Sequence, residues 1–160
     1  VISFANKGGI VIGICNGFQI LLEAGLLPGV MIRNYSLKFA CKDVYLKTEN
    51  RETIFSTEIS EATKALKIPI AHGEGNYFAD IELLKELEAN RQILFRYSDE
   101  DGNVNDENNP NGSQLNIAGI VNKNGNVMGM MPHPERACDP TLGRTDGQQI
   151  FKSIANYILN

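Results

Sequence analysis

A cysteine near the start of the chain stands between two apolar runs. Residues 9–14 (GIVIGI) read as a strand that leads into Cys15, and residues 18–24 (FQILLEA) read as a helix that leads out. A tight strand-to-helix turn pushes its central side chain into a cleft, and Gly13 and Gly17 allow the turn to close. The first N–H groups of the helix depress the pKa of such a thiol and can hold an oxyanion. The pattern predicts that Cys15 is a nucleophile, with a buried, inert cysteine as the alternative.

A histidine and a carboxylate follow a second strand-like run near the other end of the chain. His133 comes after residues 127–131, and Glu135 stands two positions later. A cysteine nucleophile needs a base, and the base needs a carboxylate that orients it. Residues two apart in an extended segment point the same way, and Pro132 and Pro134 stiffen that segment. We therefore expect Glu135 to support His133; a surface loop with a capped histidine is the alternative.

The elements that would position these residues alternate between strands and helices. Strand patterns cover residues 10–14, 39–47, 65–71, 92–97 and a hairpin from 117 to 131, and helix patterns cover residues 18–24, 80–87 and 145–159. Asp80 is a suitable N-cap, and Pro69 restricts its strand to an edge, a bulge or a strand end. The polar segment 98–114 predicts a loop. The order predicts an α/β fold with an antiparallel portion in its second half, as a single domain over residues 1–160.

Composition excludes several classes of protein. The chain has 160 residues, of which 42% are hydrophobic and 21% charged, and its net charge is -4 with scattered basic residues, which argues against a nucleic-acid partner. No apolar run approaches the roughly 20 residues that span a bilayer. Cys15, Cys41 and Cys138 suit neither a disulfide framework nor a metal site, so a reducing, cytoplasmic compartment is expected. Cys41 and Cys138 read as partly buried apolar residues. With only two histidines and no clustered cysteines in the chain, we do not expect a metal site at His72 and Glu74.

The first residues carry a helical pattern without an initiator Met. Residues 1–6 read as the end of an amphipathic helix, which Lys7 and Gly8 close. A domain seldom begins within a helix, so we expect an N-terminal portion of the protein to be missing from this sequence.

Four motifs in the same order resemble one known family. They are residues 13–19 (GICNGFQ), 71–75 (AHGEG), 109–113 (NPNGS) and 132–136 (PHPER). Together they resemble the class I glutamine amidotransferase family, the Cys-His-Glu glutaminases. The resemblance implies a flavodoxin-like α/β fold, with a mostly parallel central sheet flanked by helices. The continuation of residues 16–19 after the cysteine resembles the members that serve purine biosynthesis.

The resemblance implies hydrolysis of glutamine to glutamate and ammonia. Cys15 would attack the carboxamide, His133 would move the proton, and Glu135 would hold the imidazole. The N–H of Asn16 would donate to the oxyanion, and a loop upstream of Val1 would supply a second donor.

Three further residues receive substrate-binding roles by resemblance. Gly17 would let the backbone approach glutamine closely. Gln19 would stabilise the strand-to-helix turn at Cys15 (the elbow) from within the helix, or be an ordinary polar residue of the first helical turn. His72 would lie in a loop over the glutamine or at a subunit interface, or be hydrogen-bonded to backbone in a glycine-rich turn.

The resemblance also implies partners. Ammonia would pass to an ATP-dependent synthetase subunit, accompanied by a small accessory subunit, that converts formylglycinamide ribonucleotide to formylglycinamidine ribonucleotide. ATP and magnesium would bind to the synthetase. This agrees with the lack of a phosphate-binding glycine loop in this sequence, and no cofactor is expected here. A truncated, non-catalytic binding domain and a cysteine peptidase of the same superfamily are the alternatives.

Overall fold

The computed structural model describes all 160 residues and contains eight strands and four α-helices. The strands are β1 (Val11–Ile14), β2 (Val30–Ile32), β3 (Ala40–Thr48), β4 (Leu66–His72), β5 (Asn76–Phe78), β6 (Ile93–Ser98), β7 (Ile117–Val121) and β8 (Val127–Met130). The helices are α1 (Ile2–Asn6), α2 (Asn16–Glu23), α3 (Ile81–Ala89) and α4 (Gln148–Leu159). Single turns of 3₁₀-helix lie at Asp106–Asn108, Gln114–Asn116, Pro134–Arg136 and Pro140–Leu142.

Six of the strands form one mixed sheet in the order β1-β8-β7-β6-β3-β4. β1 and β8 run parallel, with Ile14 opposite Met130, and the other four pairs are antiparallel. β2 and β5 form a separate two-stranded antiparallel ribbon. The carboxyl ends of β1 and β8 therefore lie side by side, which is where Cys15 and His133 leave the sheet.

The predicted class, an α/β fold with a helix-flanked sheet and an antiparallel portion, is confirmed. The sheet is mostly antiparallel, and not mostly parallel as the family resemblance implied, because β1 and β8 form its one parallel pair. Short connections such as residues 122–126 between β7 and β8 permit antiparallel pairing, whereas parallel neighbours need a crossover of a dozen or more residues. β4 lies at the sheet edge, as Pro69 requires.

Apolar residues on the two faces of the sheet form two separate cores. Val127 belongs to one and its neighbour Met128 to the other, as the alternation of side chains along a strand dictates. Helices α1, α2 and α3 pack on the first core, and α4 packs on the second through the fully buried Ile150. Asp80 caps α3 by accepting from the Leu83 N–H at 2.8 Å, as predicted. No helix combines the length and the apolar content that crossing a membrane requires.

Candidate active site

Cys15 occupies a strained turn between β1 and α2. Its φ of 52° and ψ of -108° lie outside the regions that L-residues favour, at a cost of about 1–3 kcal/mol that the surroundings must offset. Its N–H donates to the Met130 carbonyl at 2.8 Å, and its carbonyl accepts from the Phe18 N–H at 3.0 Å. The residue thus ends one element and starts the next, as the sequence predicted.

The two glycines beside the cysteine have different surroundings. A Cβ at Gly13 would lie 2.7 Å from the Gly17 carbonyl and 2.5 Å from Leu21 Cδ1, so the close approach of β1 and α2 requires Gly13. A Cβ at Gly17 would meet no protein atom within 4 Å. Packing therefore explains Gly13 and leaves open space beside Gly17, where the sequence predicted a close approach to a ligand.

The thiol of Cys15 is half-buried, with Sγ 3.8 Å from the Ala71 carbonyl oxygen on β4. Burial raises the pKa of this thiol, and the charge of Glu135 raises it further. The N–H of Asn16 and the charge of Arg136 lower it, but less than burial raises it. The predicted depression of the Cys15 pKa is therefore wrong for this structure, because desolvation outweighs the helix terminus.

His133 and Glu135 form a close pair. The Nδ1 atom of His133 lies 2.6 Å from Glu135 Oε1, and a buried carboxylate-facing nitrogen of this kind carries the proton. His133 is buried, whereas Glu135 is partly exposed and lies 3.5 Å from Arg136 Nε. The opposite ring nitrogen, Nε2, is buried without a hydrogen-bond partner. His133 therefore presents a free lone pair on a ring whose tautomer is set by Glu135.

Strand β4 places the thiol and the imidazole at the same end of the sheet. Cys15 Sγ contacts the carbonyl of Ala71, and the His133 N–H donates to the carbonyl of Pro69 at 2.8 Å. Pro69 and Ala71 are two positions apart on β4, and two residues along a strand span about 6.6 Å. The charge of Glu135 also acts on the pKa of the Cys15 thiol. These contacts place Cys15 and the His133–Glu135 pair at the same end of the sheet, and the triad of nucleophile, base and orienting carboxylate stays a prediction.

Of the remaining predicted residues, Gln19 and His72 adjoin a loop at residues 73–75. Asn16 begins α2 with an exposed side chain, and its N–H faces the thiol. Gln19 does not brace the elbow from within the helix; its Nε2 donates to the Glu74 carbonyl at 2.8 Å and ties α2 to this loop. His72 is buried, and its Nδ1 contacts the side chain of Asn34 at 3.1 Å rather than backbone.

Sequence reasoning missed the residues that hold the 73–75 loop from the other side. Asn111 Nδ2 donates to the Gly75 carbonyl at 2.6 Å, and Ser113 Oγ donates to the same oxygen at 3.1 Å. Asn34 Oδ1 accepts from the Gly75 N–H at 3.0 Å. Residues 111 and 113, within the segment 98–114 that the sequence predicts as a loop, therefore hold the 73–75 loop in place. The NPNGS motif marks this segment in the sequence, but the motif does not indicate that its side chains donate to the carbonyl of Gly75, 36 residues away from Asn111.

Two cavities lie beside these loops. A cavity of about 840 Å³ is lined by Tyr35, Ser36, Arg96 and residues of the 104–116 segment. A second, of about 280 Å³, is lined by Gln19, Glu74 and residues of α2 and β2. Asn111 and Ser113 line the larger cavity, and neither cavity includes Cys15, so the candidate site rests on the geometry of its side chains.

Comparisons with known proteins identify the family of this chain. The family profile described as the CobB/CobQ-like glutamine amidotransferase domain matches residues 1–158. The chain is 57% identical over 157 residues to the phosphoribosylformylglycinamidine synthase subunit PurQ of Moorella thermoacetica, covering 98% of this chain and 66% of that protein. It is 54% identical over 158 residues to the subunit of the same name from Salinibacter ruber, covering 99% of this chain and 67% of that protein. The chain thus spans about two thirds of the length of these relatives.

Solved structures show the same likeness. A chain in the structure of PurLQS from Thermotoga maritima is similar with a TM-score of 0.81 and 42% identity, covering 98% of this chain and 66% of that one. A glutamine amidotransferase from Thermotoga maritima has a TM-score of 0.52 at 16% identity, covering 97% of this chain and 58% of that one. The second likeness extends to the fold alone.

Proposed function

Because the chain belongs to the family of CobB/CobQ-like glutamine amidotransferase domains, we propose that it is the glutaminase part of phosphoribosylformylglycinamidine synthase. The observation that carries this proposal is the strained Cys15 at the carboxyl end of β1, with the His133–Glu135 pair following the adjacent parallel strand β8. The description of the matching family supports L-glutamine as the substrate, and the name of the PurQ relatives supports phosphoribosylformylglycinamidine synthase, and hence purine biosynthesis, as the setting.

Acylation begins with a proton transfer. Since burial raises the pKa of Cys15, its thiol keeps the proton until His133 Nε2 accepts it. The sulfur then attacks the carboxamide carbon of glutamine, and the Asn16 N–H donates to the oxyanion that forms. When the C–N bond breaks, His133 returns the proton to the nitrogen, and ammonia leaves behind a thioester on Cys15.

Hydrolysis of the thioester completes the cycle. His133 Nε2 accepts a proton from water, whose oxygen attacks the thioester carbonyl. The second tetrahedral intermediate uses the same oxyanion donor, and the sulfur leaves as it regains the proton. Glu135 keeps Nδ1 protonated throughout, so that Nε2 stays available, and it stabilises the imidazolium that forms twice per cycle.

The ammonia requires a partner because at neutral pH free ammonia is mostly ammonium, which is no nucleophile. We therefore propose that this chain works in a cytoplasmic complex with the synthetase subunit PurL and the small subunit PurS. The likeness to a chain of the PurLQS structure supports these partners. In this proposal ATP and magnesium act on the synthetase, which uses the ammonia to convert formylglycinamide ribonucleotide to formylglycinamidine ribonucleotide.

The test measures glutamate release from glutamine by the whole subunit bound to its synthetase partners. We expect Cys15→Ala to abolish turnover, with a loss of about 10³-fold or more. Cys41→Ala is the matched control, because Cys41 is exposed on β3, and it should retain wild-type activity. Full activity of Cys15→Ala would contradict the proposal. Cleavage of peptides without glutaminase activity would favour a peptidase, and turnover of neither substrate would favour a binding domain.

A further inference from the structure

Two buried imidazole nitrogens lack any hydrogen-bond partner, and the proposed mechanism uses only one of them. They are Nε2 of His133 and Nε2 of His72. His72 is 4% exposed, so bulk solvent does not reach its ring. A buried acceptor without a partner is costly, and such atoms often mark where a ligand binds.

The hydrogen bonds of Asn34 establish which nitrogen of His72 carries its proton. Asn34 Nδ2 donates to the carbonyls of Lys38 and His72, both at 2.8 Å, which leaves Asn34 Oδ1 facing His72 Nδ1 and the Gly75 N–H. An amide oxygen can only accept, so His72 Nδ1 is the donor. His72 Nε2 therefore carries a lone pair, as does His133 Nε2.

His72 directly follows a residue that contacts the thiol, and His133 is hydrogen-bonded to the same strand, β4, through its backbone N–H. The residue before His72 is Ala71, whose carbonyl oxygen is 3.8 Å from Cys15 Sγ. Burial lowers the pKa of His72, and the charge of a protonated His133 lowers it further. The two unpartnered nitrogens thus belong to residues at the end of β4 and just after β8, the two strands that the backbone of Cys15 and its thiol contact.

The two rings differ in the group behind them. His133 is backed by the carboxylate of Glu135, which holds Nδ1 as a donor and so directs Nε2 toward accepting a proton. His72 is backed by the neutral amide of Asn34, and burial lowers the pKa of His72 to about 4. At neutral pH His72 stays uncharged, so it can accept a hydrogen bond but is a poor base.

We propose that His72 Nε2 accepts a hydrogen bond from the carboxamide nitrogen of bound glutamine and thereby selects amides over esters. This inference rests on the proposed function. A primary amide offers two N–H donors on the atom that leaves, whereas an ester places an oxygen lone pair there. A site built to pair with a donor discriminates against analogues that lack it, because its own buried group is then left unpaired.

Two substitutions separate the proposed acceptor, His72 Nε2, from the hydrogen bond of His72 Nδ1 to Asn34. His72→Asn keeps a donor at the position of Nδ1, and hence the contact with Asn34, but removes the acceptor at the position of Nε2. His72→Gln places an amide oxygen near the position of Nε2 and loses the Asn34 contact. Each variant is assayed as the whole subunit in its synthetase complex, with L-glutamine and with the γ-methyl ester of glutamate.

We expect His72→Asn to lower kcat/KM for glutamine by about tenfold, the effect of one hydrogen bond, and to change ester hydrolysis by less than about twofold. His72→Gln should recover most of the glutamine activity. Equal losses of His72→Asn on both substrates would reduce His72 to a structural role and overturn the inference, as would unchanged glutamine activity. A wild-type complex that hydrolyses no glutamine would refute the proposed function instead.

A measurement that leaves His72 intact covers the case in which a variant fails to fold. In the Cys15→Ala complex labelled with ¹⁵N-histidine, adding glutamine should shift the Nε2 resonance of His72, because that nitrogen gains a hydrogen bond. Adding the methyl ester should leave the resonance in place. An unshifted resonance with saturating glutamine would overturn the inference.

Discussion

The thiol of Cys15 is held in a reactive position by a strained backbone but is kept protonated by burial. A φ of 52° turns the residue out of β1, while desolvation raises the pKa of the sulfur more than the Asn16 N–H and Arg136 lower it. The resting site therefore holds a thiol rather than a thiolate. Reaction then depends on a substrate that brings its carbonyl to the sulfur while His133 takes the proton.

This protonation state predicts opposite labelling by two kinds of reagent. Iodoacetamide at pH 7.5 should modify the exposed Cys41 faster than Cys15, because it reacts with thiolates and needs access. A chloroketone analogue of glutamine should modify Cys15 first, because binding orients it at the base. Mass spectrometry of peptides from wild type, Cys15→Ala and Cys41→Ala measures both rates. Preferential labelling of Cys15 by iodoacetamide would contradict the raised pKa.

The carboxylate of Glu135 is predicted to matter for catalysis and little for stability. Glu135→Gln keeps the size of the side chain but removes the charge that stabilises the His133 imidazolium. We expect kcat to fall by about 10²-fold or more, with the melting temperature nearly unchanged because Glu135 is partly exposed. Glu52→Gln, which alters an exposed ion pair with Arg91, is the control and should retain full kcat. A fall in kcat of less than threefold would remove Glu135 from the mechanism.

At the scale of elements, the junction of β1 and α2 depends on Gly13 for close packing and on Gly17 for the open space through which a ligand can approach. Gly13→Ala forces a methyl group against the Gly17 carbonyl and should destabilise the protein by about 1–3 kcal/mol. Gly17→Ala meets open space in a helix, so stability should hold or rise by up to about 1 kcal/mol, while the KM for glutamine rises. Urea unfolding and steady-state kinetics test the pair. Equal destabilisation by both substitutions would show that the junction is not packed as described.

The sequence predicted the elements that are local in the chain and missed the contacts that are not. The elbow at Cys15 and the pair at 133 and 135 are readable because their partners lie within a few residues. Asn34 reaches His72 across 38 residues and Asn111 reaches Gly75 across 36, so no periodic pattern announces either contact. The ribbon of β2 and β5 escaped prediction because three-residue strands are too short for an alternation to stand out.

At the scale of the whole molecule, parallel pairing is confined to the place where the chemistry requires it. The sheet is antiparallel from β8 to β4, which gives the edge strand β4 carbonyls that contact both Cys15 and His133. The same strand ends at His72, whose titratable ring is buried. Protonation of that ring therefore affects the free energy of unfolding of the whole protein.

Burial of neutral His72 predicts that the folded state loses stability as pH falls from about 6.5 to about 4. The pKa of His72 is lowered from its ordinary 6.5 to about 4, so within that window the unfolded chain binds more protons than the folded chain. Unfolding is therefore favoured by up to about 3 kcal/mol at the acid end, and His72 contributes no pH dependence above about pH 7.

Urea unfolding of wild type and His72→Asn at pH 7.5, 6, 5 and 4 isolates this contribution from the carboxylates, which titrate in both proteins. We expect the stability difference between the two to shrink, and then reverse in favour of the variant, as the pH falls. Asn cannot be protonated, yet it keeps a donor toward Asn34, so the change measures the titration of one ring. A difference that stays constant from pH 7.5 to 4 would mean that the pKa of His72 is the same in the folded and unfolded states. The ring would then take up its proton in the folded protein near pH 6.5, and its Nε2 lone pair would not be held free.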